Sequence, residues 1–350
     1  MKRILLFILL LLAACSPAAT AAPTQASKPE TLTVMTHDSF SVNEDVLKSF
    51  EAANNAKVVL LQSGDAGAAL NKAILTKDAP LADVLYGTDN TFLSRALQAD
   101  IFESYPSPAL AEVPGAFKLD PSHRALPVDY GDVCINYDRA YFADKNLPVP
   151  QSLEDLTKSE YKGLLVVENP ATSSTGLAFL LATVAHYGDS FTQYWQSLKD
   201  NGVVVVDGWE TAYYTNFSAS SGKGPQPMVV SYGTSPAAEV YYAEKKPDDA
   251  PTASILGPDT CFRQIEFVGI LQGTKHRALA EKFVDFMLGK QFQEDVPLQM
   301  FVYPVNPNAA LPEEFTKYAQ APEQTATLAP DVIAGKRDAW IEAWTKTVMK

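Results

Sequence analysis

Two hydrophobic periods alternate along this chain. Thr31–Met35 places β-branched residues at every second position, Asn43–Ala53 carries an apolar stripe at helical spacing, and Ala56–Gln62 returns to the strand pattern. Asp65–Lys77 then reads as a helix, Ala82–Tyr86 as a strand and Asn90–Gln98 as a helix. Strand and helix in strict alternation predict an α/β body with a largely parallel sheet. A Pro-rich stretch, Tyr105–Pro127, interrupts the rhythm, and a second series follows. Its strands are predicted at Val133–Tyr137, Leu164–Val167, Val203–Val206, Met228–Tyr232 and Gln264–Gly269. Its helices are predicted at Ser152–Leu156, Leu177–Tyr187, Ala237–Lys245, Arg277–Leu288, Gln291–Val296 and Asp331–Val348. Trp340 and Trp344, four apart on the last helix, are placed to dock it onto the body.

The extreme N-terminus follows neither period. Lys2 and Arg3 precede an apolar run from Ile4 to Leu12, too short to span a bilayer and shaped like a secretory signal. It ends in Leu12-Ala13-Ala14-Cys15, which reads as a lipobox with Cys15 as the acylated residue; the alternative is a plain signal that contains a cysteine. Residues 1–15 are thus expected to be a lipoprotein signal. Residues 16–30, mostly Ser, Pro, Ala, Thr and Gln at first, are expected to be a flexible tether. The chain is expected to be exported and lipid-anchored at the cell envelope, in the periplasm or on the outer face of the cytoplasmic membrane.

Roughly 320 residues remain after the tether, the size of one bilobal or two-domain body. The formal net charge is −13, and removing Lys2 and Arg3 with the signal leaves −15. Such an acidic body argues against nucleic acid as a partner and weakly favours cationic small molecules. Beyond Cys15, only Cys134 and Cys261 remain; they form either one long-range disulfide or two separate buried thiols. The four histidines are scattered singly, and no Cys/His spacing points to a metal.

Three loops carry the same chemistry where a strand ends and a helix begins. They are Ser63-Gly64-Asp65-Ala66-Gly67, Thr172-Ser173-Ser174-Thr175-Gly176 and Ser231-Tyr232-Gly233-Thr234-Ser235-Pro236. Each admits two readings, ordinary N-capping or a ligand held at free N–H groups and hydroxyls. Gly208-Trp209-Glu210, after a strand, puts an aromatic ring where a ligand is a better partner than a core. The adjacent pairs Tyr213-Tyr214 and Tyr241-Tyr242 suggest either partial burial or, more remotely, ferric iron. No nucleophile elbow, zinc-protease motif, P-loop or dinucleotide fingerprint is present, so no catalytic residues are assigned. Acidic pairs alone do not exclude a secreted hydrolase such as a glycosidase.

From about Thr31 to the C-terminus the chain resembles the thiamine-binding substrate-binding proteins of bacterial ABC importers. The resemblance rests on a series of words in order. These are Leu32-Thr33-Val34 with Asp38-Ser39-Phe40, Ala82-Asp83-Val84-Leu85-Tyr86-Gly87 with Asp89-Asn90, and Pro127-Val128-Asp129-Tyr130-Gly131. Pro150-Gln151-Ser152-Leu153, Asn169-Pro170-Ala171-Thr172-Ser173-Ser174-Thr175-Gly176, Gly208-Trp209, the Ser231–Pro236 loop and Tyr303-Pro304-Val305 continue it.

The resemblance implies the two-lobe periplasmic-binding-protein fold, α/β and type II-like, with ligand in the cleft between lobes. One lobe would comprise residues 31–128 and 266–301, the other 129–265 and 302–350. It implies thiamine or thiamine phosphates as ligand, an ABC permease and ATPase as partners, no cofactor and no metal. Ferric iron, a polyamine or a related heteroaromatic cation is the alternative cargo. The implied ligand shell is Asp65, Ala66, Ser173, Ser174, Trp209, Tyr232, Gly233, Thr234 and Ser235, with His37 and Phe301 as additional positions. His37, Ala238 and Phe301 stand where the family pattern has Tyr, an aromatic and Trp, so Trp209 is expected to carry more of the stacking. Its loss is expected to weaken binding at least about tenfold while barely changing the melting of the empty protein.

Overall fold

The computed structural model describes residues 28–219 and 223–350. The expected signal, Cys15 and residues 16–27 of the expected tether lie outside the described residues; Glu30, placed at the tether's end, already opens the first strand. The first half runs β1 (Glu30–Thr36), α1 (Glu44–Asn54), β2 (Ala56–Gln62), α2 (Ala66–Leu75), β3 (Val84–Asp89), α3 (Leu93–Gln98) and β4 (Phe102–Glu103). β5 (Leu126–Asp138) and α4 (Arg139–Asp144) lead into β6 (Leu165–Glu168), α5 (Ser174–Tyr187), α6 (Phe191–Asp200) and β7 (Val204–Val206). A helical turn α7 (Trp209–Thr211) continues as a π-helical turn, Ala212–Asn216. Then come β8 (Met228–Tyr232), α8 (Ser235–Tyr242), β9 (Thr252–Ile255), β10 (Phe262–Leu271), α9 (Arg277–Leu288) and α10 (Lys290–Met300). β11 (Tyr303–Pro304), α11 (Glu313–Tyr318) and α12 (Pro330–Val348) complete the chain.

Local chemistry explains the clearest boundaries. Asn43 caps α1 by accepting from Asp45 N, and Asn55 ends that helix in a left-handed conformation. Asp65 caps α2, and Pro236 stands in the first turn of α8. α5 is buried from Ser174 through Val184, the mark of an interior helix. α12 packs on α6 through Trp344, wholly buried and edge-on to Trp195 with ring centroids 5.5 Å apart.

The sheet differs from the largely parallel one expected. Its path is β2-β1-β3-β10-β5-β8-β6-β7. β1 is parallel to β2 and β3, and β6 to β7 and β8. Between these parallel ends β10 runs antiparallel to both β3 and β5, and β5 is antiparallel to β8. The late strand β10 therefore returns to the middle of the sheet and separates β3 from β5. The cysteines form a disulfide, Cys134–Cys261, which ties β5 to the residue just before β10. Among the described residues no helix is long and apolar enough to cross a membrane.

That central position carries an electrostatic load. The register sets Glu266 on β10 opposite Asp89 on β3 and opposite Asp129 on β5, and all three are buried. Buried like charges on neighbouring strands are tolerated only when a proton or a cation intervenes. Asp89 Oδ1 accepts from Thr91 N, Thr91 Oγ1 and Phe92 N, while Oδ2 has no partner. Burial, with Glu266 adding to it against the pull of the Thr91 hydroxyl, pushes the Asp89 carboxyl up to about 7.

A carboxyl whose folded pKa lies above its unfolded value loses its contribution to stability as pH rises between the two. Asp89 should therefore cost the fold increasing stability from about pH 4 to about pH 7, on the order of 4 kcal/mol at most. Asp89→Asn keeps the Oδ1 acceptor and supplies a permanent donor at the unpartnered position. Denaturant unfolding across this range should show a shallower loss for the variant; superimposable slopes would assign the pH dependence elsewhere.

Candidate functional site

A cleft of about 980 Å³ opens where the two parallel ends of the sheet face each other across the β10 strand. Its floor is His37 and Glu266, with His37 just beyond the end of β1. Gly87, at φ +98°, makes room for that ring: a Cβ there would come within 2.3 Å of His37 Cδ2. His37 Nε2 stands 3.5 Å from Glu266 Oε1, and Nδ1 is 3.3 Å from Ser39 Oγ. Burial alone would lower the imidazole pKa, but Glu266, with Asp65 and Asp38, raises it overall. Burial likewise opposes ionisation of Glu266, and His37 beside it outweighs that and leaves the carboxyl below its ordinary range. The Tyr86 hydroxyl lies 2.5 Å from Asp129 Oδ2 and 3.1 Å from Glu266 Oε2, one phenol shared between two carboxyl groups. Burial and the Glu266 charge hold Asp129 well above the carboxylate range. The floor thus sets His37 against Glu266, each favouring the charged form of the other, with Asp129 behind them favouring its protonated form.

Asp65 joins the two walls. Its Oδ1 accepts from Ala66 N at 2.6 Å as the α2 cap, and its Oδ2 accepts from Trp209 N at 2.9 Å across the cleft. Burial raises its pKa despite those two donors. A second clip lies beside it, where Gly67 N and Ala68 N donate to Thr172 O. Gly67 is required there, since a Cβ would meet that oxygen at 2.8 Å.

Trp209 is only 7 % exposed. One face stacks on Tyr213, with centroids 4.9 Å apart and planes at 19°, and Nε1 donates to Ser231 Oγ at 2.9 Å. Tyr214 and Phe301 meet it edge-on, and Tyr232 stands tilted at 6.4 Å. Phe301, left-handed at φ +60°, closes α10, and Tyr242 lies 6.0 Å from it. Tyr214 and Tyr242 are 41 % and 54 % exposed, so their rings remain open to the cleft. The structure therefore surrounds the opening with more aromatic surface than the substitutions at 37, 238 and 301 suggested.

Of the residues singled out from sequence, Asp65, Ser174, Trp209, Tyr232, His37 and Phe301 line the cleft, as does Ala238. Ala66, Ser173, Gly233, Thr234 and Ser235 do not; they sit buried behind it. Ser173 Oγ bonds Thr175 Oγ1, Ser235 Oγ bonds Ser231 Oγ, and the Thr234 hydroxyl donates to Phe301 O. Gly233 packs against Gln320 O, where a Cβ would approach to 2.3 Å. Those small polar residues build the turns that carry the lining side chains. Sequence reasoning missed Glu210, Glu239, Tyr214, Tyr242 and Glu266 as cleft residues. The Tyr pairs were a visible signal, whereas Glu266 lies within a predicted strand and gave none. Among the described residues, no group of three or more His, Cys, Asp or Glu is arranged to hold a metal ion.

Residues 79–325 match the family of bacterial extracellular solute-binding proteins. The chain is 34 % identical over 324 residues to the thiamine-binding periplasmic protein of Salmonella typhimurium, covering 91 % of this chain and 94 % of that one. It is 33 % identical, with the same coverage, to the thiamine-binding periplasmic protein of Escherichia coli. A solved structure of a periplasmic thiamin binding protein superposes with a TM-score of 0.82 at 31 % identity, over 95 % of this chain and all of that one.

The burial of Trp209 revises the expectation that its removal would leave the empty protein unchanged. Trp209→Ala should abolish the Tyr213 stack and leave a cavity where the buried ring was, lowering the stability of the ligand-free protein by about 3–5 kcal/mol. Urea unfolding of the variant without ligand measures this. A midpoint equal to that of the parent protein would mean the ring contributes nothing to packing and serves the cleft alone.

Proposed function

The chain belongs to the bacterial extracellular solute-binding proteins, and from that premise we propose that it is the receptor of an ABC importer for thiamine or a thiamine phosphate. The cleft chemistry carries the proposal. Thiamine is a thiazolium cation joined to an aminopyrimidine, and the cleft offers tyrosine and phenylalanine rings beside carboxylates on both walls. Aromatic faces and nearby negative charge both favour a flat organic cation. The polar edges of the pyrimidine would find the Tyr232 hydroxyl, the Ser174 hydroxyl and the Glu266–His37 floor, all lining the same space. Binding and release, with no bond made or broken, account for this arrangement. Identity with thiamine-binding relatives at this level, over nine-tenths of the chain, supports the same reading.

In this reading residues 31–128 with 266–301 form one lobe and residues 129–265 with 302–350 the other, and closure brings Asp65 onto Trp209. The ligand shell is the lining set Asp65, Ser174, Trp209, Tyr232, His37 and Phe301, positioned by Ala66, Ser173, Gly233, Thr234 and Ser235. A permease and its ATPase are the partners that would take the cargo from the closed form. A polyamine is the second reading that the acidic, aromatic-walled cleft accommodates. Ferric iron fits less well, because iron calls for several hard donors converging on one point.

Export is the premise of such a receptor, and we propose that a lipid on Cys15 anchors it. Cys15→Ser should then yield unprocessed precursor or protein lost from the membrane fraction on cell fractionation. Full processing and unchanged membrane retention of that variant would defeat the anchor.

The cargo is tested by thermal unfolding with thiamine, its mono- and diphosphates, spermidine, putrescine and ferric citrate. Ligand at about 100 Kd should stabilise the native state by about 2.7 kcal/mol. A shift with a polyamine or iron and none with any form of thiamine would overturn the thiamine reading.

A further inference from the structure

His37 stands at the floor of the cleft among acids drawn from several elements. Glu266 comes from β10, Asp65 from the cap of α2, Glu210 from α7 and Asp38 from the loop that His37 itself occupies. His37 Nε2 lies 3.5 Å from Glu266 Oε1, and among the described residues it has no hydrogen-bond partner. Its Nδ1 meets only a hydroxyl, Ser39 Oγ at 3.3 Å. From β3, Tyr86 brings its ring centroid to 5.6 Å and shares its hydroxyl between Glu266 and Asp129 behind the floor. Asp38 and Asp65 are each fixed by a backbone donor, Gly64 N on Asp38 Oδ1 and Trp209 N on Asp65 Oδ2. Lys223, the other basic side chain among the described lining residues, is exposed and so screened by solvent.

The imidazole therefore has one partner of consequence, and that partner is a carboxylate facing the ligand space. Burial works against an imidazolium here, yet Glu266, Asp65 and Asp38 together raise its pKa above the ordinary 6.5. His37 thus changes charge close to neutral pH. A cation entering the cleft is drawn by the same carboxylates that favour the imidazolium. The two positive charges also repel each other. At a separation of about 6 Å and an effective dielectric constant of about 20, that repulsion is worth about a hundredfold in an equilibrium constant. Salt and water in an open cleft reduce this to about tenfold.

Resting on the reading of this cleft as a thiamine site, we propose that cargo binding is linked to a proton on His37. The imidazolium serves as counter-ion to Glu266 until the thiazolium cation arrives, and it then gives up one N–H proton to solvent. One positive charge enters as one leaves, so the net charge of the floor is unchanged. The sign follows from linkage: a bound cation lowers the imidazole pKa, so affinity rises with pH between the lowered and the original value and levels off above it. His37 makes the receptor load more readily in neutral or alkaline surroundings and release more readily in acidic ones.

Calorimetric titration of the mature, full-length protein with thiamine, in phosphate and in Tris at the same pH, counts the protons released. The two buffers differ in ionisation enthalpy, so released protons appear as a difference in measured heat. Near pH 7 the protein should release about half a proton or more per thiamine, and affinity should rise about tenfold from about pH 6 to about pH 8. Histidine ring resonances followed by NMR through the same range identify the group. His37 should titrate at lower pH with thiamine bound, whereas His123, His186 and His276, none of which lines the cleft, should keep their midpoints. The variants His123→Gln, His186→Gln and His276→Gln assign the His37 signal by elimination. Asp89, pushed up to about 7, titrates in the same window, and Asp89→Asn should leave the proton release intact. Release without a shift of the His37 midpoint, or release lost in Asp89→Asn, would assign the proton to a carboxyl group and overturn the proposal. Thiamine binding with equal heats in both buffers would overturn the linkage while leaving thiamine as cargo. No binding of thiamine at any pH would remove the thiamine reading and this inference together.

Discussion

Glu266 sits at the one place where the sheet brings three acidic residues side by side, and much of the molecule is arranged around keeping it ionised there. β10 returns from late in the chain to lie between β3 and β5, which sets Glu266 against both Asp89 and Asp129. Three buried charges in such proximity would be prohibitive. The structure resolves this by unequal protonation: Asp129 is pushed far up, Asp89 to about 7, and Glu266 is held down by His37. Tyr86 bridges two of the three with a single hydroxyl. The ionised member, Glu266, therefore faces the cleft with His37 beside it as its counter-ion. The floor of the cleft is produced by the same contacts that let the strands cross.

His37 belongs to that solution as much as to any ligand. An imidazole 6 % exposed, with Gly87 making room for it, is a fitted counter-ion for Glu266. A tyrosine in its place would present a hydroxyl and no positive charge. A histidine here thus sets the charge of the floor and leaves the aromatic walls to other residues. Those walls are supplied by Tyr214 and Tyr242, whose open rings stand beside Phe301 and Trp209.

The parts of the fold legible in sequence are those set by local pattern. β2, β8 and α9 appear with the bounds that periodicity suggested, because each carries an uninterrupted apolar period with clear ends. β5 is 13 residues long where five were expected; its start lies in a Pro-rich stretch whose backbone is extended only because β10, β11, β9 and β8 pair with it. α6 was missed although its buried Phe191, Tyr194, Trp195 and Leu198 recur at helical spacing and pack against α5 and α12, so that signal was present in the sequence and went unread. The antiparallel centre was equally hidden, because strand direction depends on where a strand returns and not on its composition.

The candidate site divides in the same way. Loops at strand-to-helix turns announced Asp65, Ser174, Trp209 and Tyr232 through residue type and position. At Ser173, Thr234 and Ser235 the same residue types meet protein partners, and a hydroxyl that caps or buttresses a turn is written identically to one that meets a ligand. Only the direction of the side chain separates the two, and that direction is set by packing from residues far away in the chain. Asp65 shows how closely the roles can overlap: one carboxylate caps α2 with one oxygen and holds Trp209 with the other. Its capping oxygen fixes the carboxylate plane, and that plane aims the second oxygen across the cleft. The contact between the two walls is thus tied to a helix cap, so a change at this position acts on the local fold and on the cleft at once.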